Sequence, residues 1–463
     1  MAEKNQLQRG LKERHVQMIA IGGAIGVGLF LGSAQAINMA GPGILVTYGI
    51  AGIIIFLIMR ALGEMSVEYP VAGSFSAYAN DFVGPFTGYL VGCMYWVEWT
   101  VIAMAELTAM AIYVNFWFPD FPRWATTLIF LGLLTLANLT AARLFGELEF
   151  WFAIIKVVTI IAMILIGFAM ILFGFGNGGE AIGFSNLTAH GGFLPHGMGG
   201  VFSALVMVAF AFIGVELIGV TAGEAENPRK VIPKAINTVI YRVLIFYIGA
   251  LFVIMCLYPW DEIGTTGSPF VLTFAKLGIS AAAGIINFVV LTAALSSCNS
   301  GIYSCGRMLY NLSVHKQAPA VFGKISKHHV PANAILFTAL LVLIGVVLNY
   351  IMPEKAFTYL TSVSSFCAVY TWGTITVTQI FFRKQLTPAE KDRLIFKLPL
   401  YPFSNIITLA VLVLVIAAMG ANPDTRIAIP VGLSFMIFFT ATYFIVGLNK
   451  RPAEKRLGKI PNE

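Results

Sequence analysis

The sequence predicts an all-α integral membrane protein of about twelve transmembrane helices. Helices 1–5 and 6–10 form a 5+5 inverted repeat in which helices 1 and 6 are broken, and two extra helices follow. Three observations predict this. Of the 463 residues, 58% are hydrophobic and only 11% are charged, with a mean hydropathy of +0.84. A soluble chain is nearer one quarter charged, and no water-soluble core absorbs such an excess. The apolar residues gather into twelve runs of about the 20 residues that cross a bilayer. Two of those runs, five segments apart and oppositely directed, are interrupted at their centres by glycine.

The runs cover roughly 16–36, 42–62, 86–116, 125–142, 150–174, 199–221, 238–258, 283–310, 332–351, 357–382, 402–420 and 428–448. The third is long enough to tilt or to extend past the bilayer. Residues 268–282 read as a further short helix outside the membrane. A single transmembrane domain thus occupies 1–448, with repeats at about 16–174 and 199–382 and helices 11 and 12 at about 402–448. The residues at 1–15 and 449–463 form tails. The first fifteen residues are polar and the run after them is too long for a signal h-region, so no cleavable leader is expected.

Basic residues orient the chain. With the N-terminus inside, 24 Lys and Arg residues fall on the cytoplasmic side and four (Arg123, Lys276, Lys355, Arg426) outside, with Lys156 left within a segment. Both tails are therefore expected to be cytoplasmic. The same asymmetry accounts for the net charge of +7 without any nucleic-acid partner. Cys93, Cys256, Cys298, Cys305 and Cys367 lie in or beside apolar runs without C-x-x-C spacing, which implies buried thiols and no zinc site. His15, His190, His196, His315, His328 and His329 fall in tails or loops, so no metal is expected.

The first interrupted run is IGGAIGVGLFLGSA, Ile21 to Ala34; the second is AFAFIGVELIGVTAGEAENP, Ala209 to Pro228. Each helical glycine costs about 1 kcal/mol, so Gly22, Gly23, Gly26 and Gly28 invite local unwinding. Unwound backbone is not tolerated against lipid, only against protein or a polar cavity. Paired interruptions of this kind mark the substrate site of carriers built from inverted repeats. Packing alone is the plainer reading, since Gly22-x-x-x-Gly26 and Gly28-x-x-x-Gly32 fit the small-residue contact motif; the glycine density exceeds what packing needs. A dinucleotide fingerprint fails, because no strand precedes the run. A broken helix offers free N–H groups at one new end and free carbonyls at the other, which suit a carboxylate and an ammonium group.

Several stretches carry a resemblance. GGAIGVGLFLGS, AGPGILVTY, RALGEM and PVAGSFSAYA, followed by GELEFWFAIIK, GVELIGVTAGEAENP and SCNSGIYSCGRMLY, resemble bacterial amino acid permeases of the amino acid–polyamine–organocation superfamily. Within it the chain is most similar to permeases for small neutral amino acids of the threonine, serine, alanine and proline class. The resemblance implies a secondary carrier in a bacterial inner or plasma membrane, driven by proton symport, with the proton as coupling ion and no cofactor. It implies that Ala24, Gly26, Val27 and Gly28, with Phe210, Ala211, Phe212 and Ile213, surround the substrate backbone, Phe210 as an aromatic lid. It further implies that Lys156 fills the space where sodium-coupled relatives hold a cation, near the carbonyls around Gly23 and the hydroxyls of Ser296 and Ser297. Snorkelling to the headgroups is the alternative for this lysine.

Carboxylates within spans are costly and default to functional roles. The resemblance ties Glu216, directly after the second break, to substrate or proton handling, and Glu106 is a candidate for the pocket or for coupling. Glu98 reads more readily as a contact between helices, as do Tyr95, Trp96 and Trp99. Pro228 and Pro233 are expected to stop a helix and shape a cytoplasmic gate, with Glu224 and Glu226 bridging to Arg229. The expected partners are an amino acid and the lipid bilayer; the sequence names no protein partner. Two alternatives stand beside this reading: the same fold carrying cationic or aromatic amino acids, and a membrane enzyme or channel. The second lacks a convergent nucleophile or selectivity ring.

Overall fold

The computed structural model describes residues 25–71, 73–140, 142–220, 222, 227–264, 267–326 and 330–451, with backbone alone at 140, 142–150 and 276. All regular structure among these residues is helical. A π-helical turn at Gly28–Gly32 leads into α1 (Ser33–Ala40), and Gly41–Gly43 joins it to α2 (Ile44–Glu68). There follow α3 (Ser74–Phe82), α4 (Pro85–Asn115), α5 (Arg123–Thr140), α6 (Ala142–Phe173), α7 (Gly197–Phe212) and the short α8 (Leu217–Val220). Next, α9 (Pro228–Arg242) runs through a π-helical stretch into α10 (Ala250–Leu257). The chain ends with α11 (Pro269–Lys276), α12 (Ser280–Val314), α13 (Ala332–Ile351), α14 (Ala356–Gln385), α15 (Pro388–Arg393), α16 (Phe403–Ala421) and α17 (Ala428–Ile445).

Nine helical stretches among the described residues are long and apolar enough to cross a membrane. Each of the twelve predicted segments falls on helix over most of its described residues, the sixth being interrupted at 213–216, and the lower count has three sources. The turn at Gly41–Gly43 fuses the first two segments into one stretch, Gly28–Glu68. The apolar part of α5 is short, Arg123–Leu139. α14 is rich in Ser and Thr. Its hydroxyls bond back to carbonyls four residues earlier, at Phe357, Thr358, Leu360, Thr361, Cys367, Tyr370 and Trp372, so the helix remains compatible with a dry interior.

Two boundaries differ from expectation. Pro228 does not stop a helix; it occupies the first position of α9, where a missing N–H costs nothing, and Pro233 lies inside the same helix. α6 begins at Ala142 rather than near 150, which places Lys156 about four turns into the helix instead of two. The expected bridge from Glu224 and Glu226, and both tails apart from residues 449–451, lie outside the described residues.

The core is organised around α4, almost all of whose residues are buried against α12 and α14. The outer helices behave oppositely. Ile406, Val413, Ile437, Phe438 and Ile445 on α16 and α17, like Leu133 and Leu136 on α5, are largely exposed. So broad an apolar periphery is stable only where hydrocarbon is the solvent. The fold is that of a multi-pass membrane protein.

One buried ion pair ties distant helices. Glu64 on α2 accepts from Arg383 on α14 through Nε at 2.6 Å and Nη2 at 2.7 Å. Gln379 adds a bond at 3.0 Å and the Leu398 amide one at 2.5 Å. Arg60, one turn earlier on α2, lies over the Phe396 ring and donates to the Lys397 carbonyl. Removing one partner of a buried pair leaves an uncompensated charge, at a cost of about 3–5 kcal/mol. Glu64→Ala should therefore lower the thermal midpoint of the detergent-purified protein well below that of an exposed-site control such as Lys355→Ala; equal midpoints would show the pair to be dispensable.

Candidate functional site

The polypeptide of α7 stops being helical in the middle of its apolar run. Phe212 ends the helix, Ile213 is extended (φ −60°, ψ 141°), and Gly214 takes φ +99°, a conformation open to glycine. The chain turns through Val215 and Glu216 before α8 begins. The groups released by this break are largely satisfied on the spot. The Phe210 and Phe212 carbonyls accept from the amides of Ile213 and Val215, and Tyr247 donates to the Ala211 carbonyl at 3.1 Å. The Glu216 carboxylate folds back to accept the Gly214 N–H at 3.1 and 3.2 Å from its two oxygens. Tyr95 on α4 donates to Glu216 Oε1 at 3.3 Å, and Trp372 Nε1 on α14 lies 3.5 Å from Oε2.

Opposite the break, the turn at Gly28–Gly32 presents its N-terminus. Val27 at the N-cap has no polar side chain with which to cap it. The two broken elements touch so closely that a Cβ on Gly28 would lie 2.5 Å from Ala211 Cα. Between them, and lined also by α4 and α12, is a narrow pocket with a free volume of about 20 Å³. Gly26, Gly28, Phe210, Ala211 and Ile213 line it, with Trp99, Ile102 and Glu106 from α4 and Ser297 from α12. Glu106 is buried; Ser297 and the Val27 amide hydrogen-bond to its carboxylate, while Oε2 has no partner.

Lys156 lies behind this wall, fully buried on α6. Its ammonium donates to Ser296 Oγ at 3.0 Å and to the Ile25 carbonyl at 3.4 Å, the latter beside the start of the helical turn. It is also within electrostatic reach of Glu106. A fully buried lysine held by protein acceptors does not reach the headgroups.

A family model described as amino acid permease matches residues 15–459. The chain belongs to the amino acid permease family. Three relatives illustrate the family. An uncharacterized amino acid permease of Bacillus subtilis (strain 168), YtnA, is 55% identical over 451 residues, covering 97% of each chain. A second protein of that organism, named "Probable threonine/serine transporter YbxG", is 50% identical, again over 97% of each. The aromatic amino acid transport protein AroP of Escherichia coli O6:H1 is 47% identical over 92% of each. The permease is thus a membrane transport protein for amino acids and not an enzyme.

Of the sequence-predicted positions, Gly26, Gly28, Phe210, Ala211, Ile213, Glu106 and Ser297 meet at the pocket of this permease, and Ser296 meets Lys156. Ala24 lies outside the described residues. Val27 contributes its amide, to Glu106, and not its side chain. Phe212 is turned away: its ring stacks on Tyr247 and packs edge-on against Tyr48. Trp99 and Ile102 were not anticipated in the wall. Their signal was the spacing of Trp99, Ile102 and Glu106 at i, i+3 and i+7, one face of a helix. Tyr95, read as a helix contact, bonds the carboxylate at the break, whereas Trp96 does make such contacts, to Thr338 and Phe337.

The close approach at Gly28 is testable. Gly28→Ala forces a methyl into the Ala211 backbone, so the purified permease should lose ligand-induced thermal stabilisation. Gly49→Ala, whose added methyl meets nothing within 4 Å, should leave it intact. Equal ligand response in both variants would remove the α7 contact from the site.

Proposed function

We propose that the permease imports small neutral L-amino acids of the threonine, serine, alanine and proline class by proton symport. Alternating access of the repeats at 16–174 and 199–382 around the pocket would carry the substrate. The observation that carries this reading is the pocket's chemistry: one set of helix N-terminal amides, one set of acceptors, and a short apolar wall. The amides opening the helix at Gly28 suit an α-carboxylate. The free Oε2 of Glu106 suits an α-ammonium, and the C-terminal carbonyls of α7, each already bonded once, can offer a second lone pair. Trp99, Ile102, Phe210 and Ile213 leave a compact apolar space for the side chain. The name of the threonine/serine relative points the same way.

Lys156 supplies the coupling in this reading. Protonated, it anchors the Ile25 carbonyl at the edge of the pocket; losing its proton, it would free that carbonyl and leave Glu106 without its nearby cation. Glu216 acts beside it, as the carboxylate that holds the break of α7 together. The proton is the only coupling ion and no cofactor is required. The carrier would sit in the bacterial plasma membrane with both tails cytoplasmic, as the 24-to-4 distribution of basic residues favours. The second reading, an aromatic or cationic cargo, draws on Trp99, Phe210 and Glu106 in the wall and on the name of the aromatic relative.

Radiolabelled uptake into proteoliposomes separates these readings. An inward proton gradient should drive threonine accumulation that a protonophore abolishes, and unlabelled serine, alanine or proline should compete better than lysine, arginine or phenylalanine. Lys156→Ala should lose concentrative uptake. Accumulation that survives collapse of the gradient sinks the symport reading. PH-dependent accumulation by the alanine variant removes Lys156 from it, and stronger competition by aromatic or cationic amino acids selects the other cargo.

A further inference from the structure

Glu98 takes no part in the pocket or in the coupling above. It is completely buried on α4. Its Oε2 lies 3.0 Å from Thr371 Oγ1 on α14, and its Oε1 has no hydrogen-bond partner. The charge that acts on it most directly is the carboxylate of Glu216 at the break of α7. Tyr95 on its own helix, Cys305 on α12 and Cys367 on α14 are the other titratable groups around it.

The hydrogen atoms available to the two carboxyls differ. Gly214 N–H and Trp372 Nε1–H can only donate, and between them they address both oxygens of Glu216. Tyr95 adds a third donor, and the guanidinium of Arg242 on α9 acts on Glu216 as well. These four groups favour the anion of Glu216. Glu98 has only the Thr371 hydroxyl, and that group has one hydrogen and two acceptors, each at 3.0 Å: Glu98 Oε2 and the Cys367 carbonyl. A proton on Glu98 Oε2 resolves the competition. Glu98 then donates to Thr371 Oγ1, and Thr371 donates to Cys367. Two neighbouring carboxylates in a dry interior repel and do not both ionise, so the pair retains one proton.

We propose that Glu98 and Glu216 hold a single proton between them in this conformation, seated on Glu98 as a neutral carboxylic acid. The assignment adds a proton seat separate from Lys156. It makes the proton's position depend on the break of α7: drawing Gly214, Tyr95 and Trp372 away from Glu216 would remove the donors that keep its anion, and the proton would pass to it. In its consequence for transport this rests on the proton-symport reading, but the seat itself is read without transport.

Infrared spectroscopy of the purified permease tests it, because the C=O stretch of a neutral carboxylic acid is well separated from carboxylate bands and shifts in deuterium oxide. The difference spectrum of wild type against Glu98→Gln at neutral pH should contain one deuterium-sensitive acid band. Thr371→Val, which removes the acid's partner, should move that same band without abolishing it. Absence of an acid band from the Glu98→Gln difference overturns the proposal. Should Glu98→Gln fail to fold, an acid-band region unchanged in Thr371→Val overturns it equally. Such a negative result leaves the carrier reading of uptake untouched.

Discussion

A peptide group released from its helix at bilayer depth must find another partner or a polar cavity, since an unpaired N–H or C=O there costs several kcal/mol. The break in α7 is built around that requirement. Gly214 alone makes the turn sterically possible, at φ +99°. The donors and acceptors it frees are taken by Glu216, by Tyr247 and by the turn itself. Glu216 is thus a substitute for the missing helical carbonyl as much as a charge. Once the local bonds are closed, what stays open toward the pocket is a small set of dipoles.

The same accounting governs the charged side chains. Lys156, Glu64 and Glu216 are all essentially inaccessible, and each is met by several opposing groups rather than by a single counter-ion. Their partners come from elements far apart in sequence: α6 with α12 and the start of helix 1, α2 with α14, and the α7 break with α4 and α14. A buried charge satisfied by three helices fixes their mutual placement. The polar side chains therefore set the geometry that nondirectional apolar packing leaves free.

How much of this was legible in the sequence depends on the range of the interaction. The break in α7 was legible because Gly214 and Glu216 interrupt an otherwise apolar run, a local signal. So was the depth of the pocket near Gly26 and Gly28. Lys156 was legible as a residue near the start of the apolar span that opens at Trp151, but Gly146, Glu147 and Glu149 look like a loop between two spans, whereas the helix runs through them from Ala142. Pro228 was read as a terminator although Asn227-Pro228 is as good a start signal, proline being at home in a first turn. Trp99 and Ile102 were missed because apolar residues occupy every face of α4, so only their spacing from Glu106 marks the face turned to the pocket. The pairing of Glu64 with Arg383, 319 residues apart, has no local signature at all.

The placement of α4 relates the two breaks to each other. Tyr95 near one end of its pocket face holds Glu216 at the α7 break, and Glu106 near the other holds the Val27 amide at the start of helix 1. Those positions are eleven residues apart, about 16 Å along a continuous helix. Gly28 meanwhile packs directly on Ala211, so the two broken elements contact one another more closely than either contacts α4. A displacement that carries them together past α4 would part Tyr95 from Glu216 and Glu106 from Val27 in one motion, while the contact at Gly28 is kept. The geometry thus sets the two broken elements as one contacting pair against the rod of α4, with carboxylates at both points where they meet.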